Sequence, residues 1–159
     1  MLINANIKIS KLSKNLKEYL EDLIKTYESA YSSLRKYAYT KRADIKRYIK
    51  WLYKTDPEGF IIAEVNFRIV GFIAVCKDWW DKDFGKVGEI HEFAVREDFQ
   101  GMGIGSSLFK EGIEYLKKTN KIIGLWVGEE NEKAIRFYKK WGFKTVGEIF
   151  PWIRMIKIF

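Results

Sequence analysis

The stretch Val95-Arg96-Glu97-Asp98-Phe99-Gln100-Gly101-Met102-Gly103-Ile104-Gly105-Ser106-Ser107-Leu108 decides how this chain is read. It joins an apolar strand pattern, Val87 to Val95, to a run whose Ile104, Leu108, Phe109, Gly112, Ile113 and Leu116 fall on one helical face. Its glycines let backbone N–H groups converge without Cβ obstruction, and the helix starting there adds positive partial charge. That geometry suits a phosphate or pyrophosphate. A nucleotide-binding P-loop would need a lysine followed by Ser or Thr at its end, and Gly105-Ser106-Ser107 has none. A dinucleotide fingerprint needs glycine or alanine at 106, where Ser106 stands, and usually lies in the first strand–helix unit rather than mid-chain.

Upstream, Ile3 to Ile9 alternates as a half-buried strand does. Leu12, Leu16, Tyr19, Leu20, Leu23, Ile24 and Tyr27 then fall on one helical stripe, with Ser13 as the expected cap. A second helix carries Ile45, Tyr48, Ile49, Leu52 and Tyr53, and Pro57 and Gly59 stop it. Phe60 to Val65 and Ile69 to Cys76 form a hairpin around Asn66-Phe67-Arg68. Asp78 to Gly85 is polar and aromatic without a period, so it reads as a loop.

Downstream, Ile122 to Val127 is a short strand, and Asn131 opens a helix carrying Ala134, Ile135, Phe137 and Tyr138 that ends near Gly142. Phe143 to Ile149 and Trp152 to Ile158 close the chain, split by Pro151. The order βααβββαβαββ, with hairpins and one strand–helix–strand crossover, predicts an α/β (α+β) fold: one mixed, mostly antiparallel, twisted sheet with helices on both faces.

The 159 residues fit a single domain, with 47% hydrophobic and 31% charged side chains, and show neither repeat nor Pro/Gly/Ser-rich linker. No stretch approaches a membrane span and the first residues lack a secretory layout, so a cytoplasmic protein is expected. The lone Cys76 sits in an apolar run as a small hydrophobe, and one Cys with one His argues against a metal site. The net charge of +8 is scattered along the chain, and no nucleic-acid motif accompanies it, which ranks nucleic acid last among partners.

Gln100, Gly103 and Gly105 match the loop Q/R-x-x-G-x-G/A of acetyl-coenzyme A-binding GNAT enzymes. Glu89-Ile90-His91-Glu92-Phe93-Ala94-Val95 resembles the strand that precedes that loop. The segment Leu125 to Phe143, with Val127, Asn131, Ala134, Phe137-Tyr138 and Gly142-Phe143, resembles the family's later signature. Residues 60–159 therefore resemble the cofactor-binding core of a GNAT N-acetyltransferase, and residues 1–59 follow its element order as the acceptor side.

The resemblance implies acetyl transfer from acetyl-CoA, without metal, to an amine-bearing small molecule, peptide or protein, and it allows a homodimer. It implies that Phe93, Ala94 and Val95 offer backbone contacts to the pantetheine arm. Gln100, Gly101, Met102, Gly103, Ile104, Gly105 and Ser106 would cradle the pyrophosphate, with Asn131 and Tyr138 flanking the cofactor. It also implies direct transfer in a ternary complex, with no acetyl group carried on Cys76.

The chemistry asks for a base, because an amine with a pKa near 10.4 is protonated at neutral pH. It asks for a proton donor at the departing thiolate, and Tyr138 aligns with the tyrosine that GNAT enzymes place there. The position of the base that some members carry after the cofactor helix is Trp126 here. Glu89 aligns with the strand-borne glutamate of other members, with His91, Glu92 or water as alternatives. By alternation Glu89, His91 and Phe93 share one face and Glu92 the other, unless a bulge intervenes. The Asp- and Trp-rich stretch Asp78 to Asp83 and Tyr27, Tyr31, Tyr37 and Tyr39 are candidates to line a cationic acceptor site.

Overall fold

A computed structural model describes residues 6–12 and 15–159. The elements run β1 (Ile7–Lys11), α1 (Leu16–Ala30), α2 (Arg42–Thr55), β2 (Phe60–Val65), β3 (Arg68–Asp81), β4 (Gly85–Val95), α3 (Ile104–Lys117), β5 (Ile122–Gly128), α4 (Glu132–Lys140), β6 (Lys144–Ile149) and β7 (Trp152–Ile158). This is the expected order. The strand read at Ile3 to Ile9 is found at Ile7–Lys11, and its first residues lie outside those described. The expected Ser13 cap also lies outside them; Asn15 caps α1, its side chain accepting from the Lys17 N–H.

The seven strands form one sheet in the order β1-β2-β3-β4-β5-β7-β6. Among the described residues only β4 and β5 are parallel, joined by the crossover through α3, and every other pair is antiparallel. One face is covered by α1 and α2, over a core that includes Leu23, Ile24, Ile45, Ile49, Phe60 and Phe72. The opposite core gathers Ile73, Val75, Leu108, Phe109 and Leu116 with residues of α4. The buried residues of α3 are the six read from its periodicity.

Two corrections concern β3 and β4. Asp78 to Asp81 is not a loop: β3 continues to Asp81, and Trp79, Trp80 and Asp81 pair with Val87, Lys86 and Gly85. The turn itself is only Lys82 to Phe84, whose Asp83 and Phe84 N–H groups donate to Asp81 Oδ1. Polar residues obscured the strand because this end of the hairpin is only partly covered.

The second correction is a bulge. Ala74 faces Glu92 and Val75 faces Ile90, so His91 is the extra residue on β4. Glu89 and Glu92 therefore lie on the α1–α2 face, and Phe93 lies on the other, with Phe109 and Phe137. The expected sharing of one face by Glu89, His91 and Phe93 does not hold.

Candidate active site

Strands β4 and β5 are neighbours for only three residue pairs, Gly88–Ile123, Glu89–Gly124 and Ile90–Leu125. Beyond them β4 continues beside β3 to Val95, and β5 continues beside β7 to Gly128. The strands part, and their facing backbone groups open into a gap. A cavity of about 1360 Å³ extends through this opening. Ile90, Phe93 and Val95 line it from β4 and Leu125 to Gly128 from β5.

At one end of the cavity lies the glycine-rich turn. Gly101 and Gly103 adopt φ +79° and +82°, and a Cβ at either would meet nothing within 4 Å. Conformation, not space, demands glycine there. Gly103 directly precedes α3, and the first main-chain bond into the helix is Ser107 N–H to the Gly103 carbonyl. The preceding N–H groups of that turn have no intrahelical acceptor, which makes it a site for an anion. Gly105 lets the turn approach Phe93, whose ring would sit 3.3 Å from an added Cβ. Gln100 donates from Nε2 to the Val95 carbonyl at 3.0 Å, and its Oε1 accepts from Lys133 at 2.8 Å.

The cavity brings together Phe93, Val95, Gln100, Gly101, Gly103, Gly105, Ser106, Asn131 and Tyr138 of the residues read from the sequence. Ala94 faces the α1–α2 core, Ile104 is buried beneath its helix, and the Met102 side chain points to solvent. Only main-chain groups of these three are available to a ligand in the cavity. The donor set, an anion-binding turn beside a strand with a free backbone edge, fits a diphosphate followed by a slender amide-bearing arm.

Asn131 caps α4, its Oδ1 accepting from the Ala134 N–H at 3.4 Å. This starts the helix that carries Tyr138 to the cavity wall. Tyr138 packs on Phe109 at 5.7 Å, and burial first, then the Glu92 charge, raises its hydroxyl above the usual phenol range. It is protonated at neutral pH.

Glu92 is the buried acid that alternation alone does not reveal. Its carboxylate accepts from Tyr31 at 2.5 Å, from Tyr48 at 2.9 Å and from the Phe93 N–H at 3.2 Å. Burial pushes its pKa up to about 7 despite these bonds. The neighbouring His91 ring sits edge-on to Trp79 at 4.4 Å and Trp51 at 5.0 Å, with Nε2 buried and unpartnered. Burial, then the Arg154 charge, lowers its pKa to about 4, so His91 is neutral at physiological pH.

Glu89, the base expected from the sequence, is not brought to the cavity. It is 2% exposed and held by two bonds from Arg154, at 2.6 and 2.8 Å. Arg154 also donates to Asp81 at 2.8 Å and lies over the Trp126 ring at 5.3 Å. Burial alone would depress the guanidinium, but Glu89 and Asp81 raise its pKa. Gly124 makes room for this arginine: a Cβ there would lie 2.4 Å from its guanidinium. Nothing local in the sequence links Arg154 to Glu89, which it meets across 65 residues of chain.

The segment between α1 and α2 bridges the opening. Ser32 donates to Glu97 at 2.8 Å beside the glycine-rich turn, while Tyr37 accepts from the Glu130 N–H at 2.9 Å beyond β5. Tyr27, Tyr31, Tyr37 and Tyr39 all line the cavity, as does Tyr48, whereas Asp78 to Asp83 does not. Cys76 is buried away from the cavity, and burial raises its thiol pKa. No group of His, Cys, Asp or Glu among the described residues is arranged to hold a metal, and no helix among them is long and apolar enough to cross a membrane.

Comparison with known proteins shows the family and the fold. The sequence profile of the acetyltransferase (GNAT) family matches residues 17–143. An uncharacterised N-acetyltransferase of Methanocaldococcus jannaschii is 43% identical over 154 residues, covering 95% of this chain and 68% of the relative. The crystal structure of a Pyrococcus horikoshii protein is 46% identical with a TM-score of 0.91, over 97% of this chain and 99% of its own. The PaiA N-acetyltransferase of Thermoplasma acidophilum, in complex with coenzyme A, has a TM-score of 0.72 at 22% identity, over 97% and 99% of the two chains. At that identity the likeness is one of fold.

Proposed function

The chain belongs to the GNAT family and is an acetyltransferase, and from that premise we propose that it moves an acetyl group from acetyl-CoA directly to a primary amine. Residues 60–159 form the cofactor side of one domain in this reading, and residues 1–59 the acceptor side. The observation that carries it is the parting of β4 and β5 beside the unpaired N–H groups of Gly103 to Ser106. The relative with coenzyme A bound shares this fold.

Acetyl-CoA supplies the acetyl group as a thioester, already activated for attack. Gln100 to Ser106 hold the diphosphate through main-chain N–H groups, and the free edge of β4 around Phe93 to Val95 aligns the arm. Asn131 keeps α4 in place, so that Tyr138 presents its phenolic proton to the departing sulfur. Glu92 takes the role first expected of Glu89: its carboxylate, held by Tyr31 and Tyr48 at the cavity, accepts the proton of the amine. With its pKa near 7, a useful fraction is ionised at neutral pH, and the proton has a favourable destination. Glu89 stays locked to Arg154 and supports the sheet.

Calorimetry with acetyl-CoA, followed by mass spectrometry of an amine panel, tests the reading. Binding with acetyl transfer is expected, and Tyr138→Phe should lower kcat about 100-fold with little change in the KM for acetyl-CoA. Absence of coenzyme A binding would overturn the assignment.

A further inference from the structure

Resting on this acetyl-transfer reading, we infer that the acceptor amine carries a single positive charge directly beside a bulky apolar group. An apolar first residue of a peptide and an arylalkyl amine share that chemistry.

The acceptor end of the cavity has an unusual composition. Glu92 supplies the carboxylate there, with Tyr31, Tyr48 and His91 beside it, and Trp126, Ile149 and Trp152 add apolar surface to the same cavity. The other carboxylates lining the cavity, Glu97, Glu130 and Glu132, are exposed. Lys36 is neutralised by Glu130, Glu97 accepts from Ser32 at the start of the glycine-rich turn, and Glu132, Lys133 and Arg136 lie on α4. Among the described residues lining the cavity, Glu92 is therefore the one buried carboxylate offered to an ammonium.

A polyamine would bring a second ammonium with no second buried carboxylate to receive it. Desolvating that charge among aromatic rings is costly. An acidic acceptor would face Glu92. The aromatic walls also begin at the carboxylate itself, since both tyrosines that bond it line the cavity. Apolar surface close to the nitrogen is thus covered, whereas the thin, unbranched stem of a lysine would leave those walls open.

The rim supports the same choice. Trp126 and Ile149, which line the cavity, are 42% and 58% exposed, apolar surface on β5 and at the end of β6. Trp126 is kept there by the Arg154 guanidinium beneath its ring. A bulky side chain or ring beside the amine would cover this surface and exclude water from Glu92.

The test compares kcat/KM at saturating acetyl-CoA for five kinds of acceptor. These are peptides beginning with leucine or phenylalanine, the same peptides beginning with glycine or aspartate, phenethylamine, Nα-acetyl-lysine amide, and spermidine. The apolar-start peptides or phenethylamine should exceed the glycine, aspartate, lysine and spermidine acceptors by about 10-fold or more. Which of the two leads distinguishes a peptide from a small-amine source. Ile149→Glu, on an exposed edge strand, should lower the value for apolar acceptors and raise it for spermidine. Preference for spermidine, lysine or an acidic start overturns the inference while leaving acetyl transfer standing. So does normal acetyl-CoA binding with no apolar amine acetylated. Failure to bind acetyl-CoA removes the underlying reading instead.

Discussion

The Tyr48 hydroxyl on α2 donates to Glu92 Oε1 on β4 at 2.9 Å, across 44 residues of sequence. Tyr31, at the end of α1, holds the other oxygen. The helices α1 and α2 thus grip the carboxylate that the bulge at His91 turns toward them. A group on the strand beside the gap is thereby positioned by the first two helices of the chain.

With Glu92 as the base, activity follows its ionisation. kcat/KM should rise with pH through about 7, where the buried carboxylate loses its proton. Glu92→Gln should abolish that limb and lower kcat/KM about 100-fold or more. A pH–rate profile of the two proteins checks it; a variant retaining the limb assigns the proton transfer elsewhere.

Stability carries a second signature. Glu92 is displaced from 4.5 to about 7, so the native state holds the extra proton between those values and loses stability as pH rises through them. His91 is displaced from 6.5 to about 4, so the unfolded state holds the extra proton and stability rises with pH over that window. Each corresponds to about 3 kcal/mol, and the two oppose each other. Relative to the wild type, Glu92→Gln should gain about 3 kcal/mol between pH 4.5 and 7, and His91→Gln should lose about as much between pH 4 and 6.5. Urea denaturation at stepped pH measures both slopes.

Gly103→Ala should cost about 1–2 kcal/mol, because a Cβ at φ +82° is strained even in open space. It should also raise the KM for acetyl-CoA about 10-fold by tilting the N–H groups of the turn. Gly147→Ala serves as the comparison: its Cβ meets nothing within 4 Å and its φ is not positive, so both quantities should stay near wild type. Thermal denaturation and steady-state kinetics read the pair.

Glu89→Gln leaves the buried Arg154 with only Asp81 as its carboxylate partner and should destabilise the fold by about 3 kcal/mol. The acid limb of kcat/KM should persist in this variant. Loss of the limb with intact folding, followed by circular dichroism, would return the base to Glu89.

Much of this was legible in the chain. The element order, the buried face of α3 and the glycine-rich turn before it followed from spacing and glycine content, because helical periodicity and left-handed backbone are local properties. The strand at Asp78 to Asp81 was not legible, since its polar residues lie at a partly covered sheet end and carry no alternation. Nor was the acid at the cavity, since strand alternation set Glu92 on the face opposite Glu89 and His91.

The sequence by itself determined where the chain could turn, which helix faces had to be buried, and that an anion would find bare N–H groups near Gly103. Tertiary structure alone decided which glutamate meets the cavity. One inserted residue at His91 reverses the facing of every later side chain on β4, and its position depends on pairing with β3. Arg154, 65 residues beyond Glu89, then holds that glutamate away from the cavity. The two tyrosines that bond Glu92 lie 44 and 61 residues before it. No local pattern encodes contacts over such separations; only the packed sheet and helices bring them together.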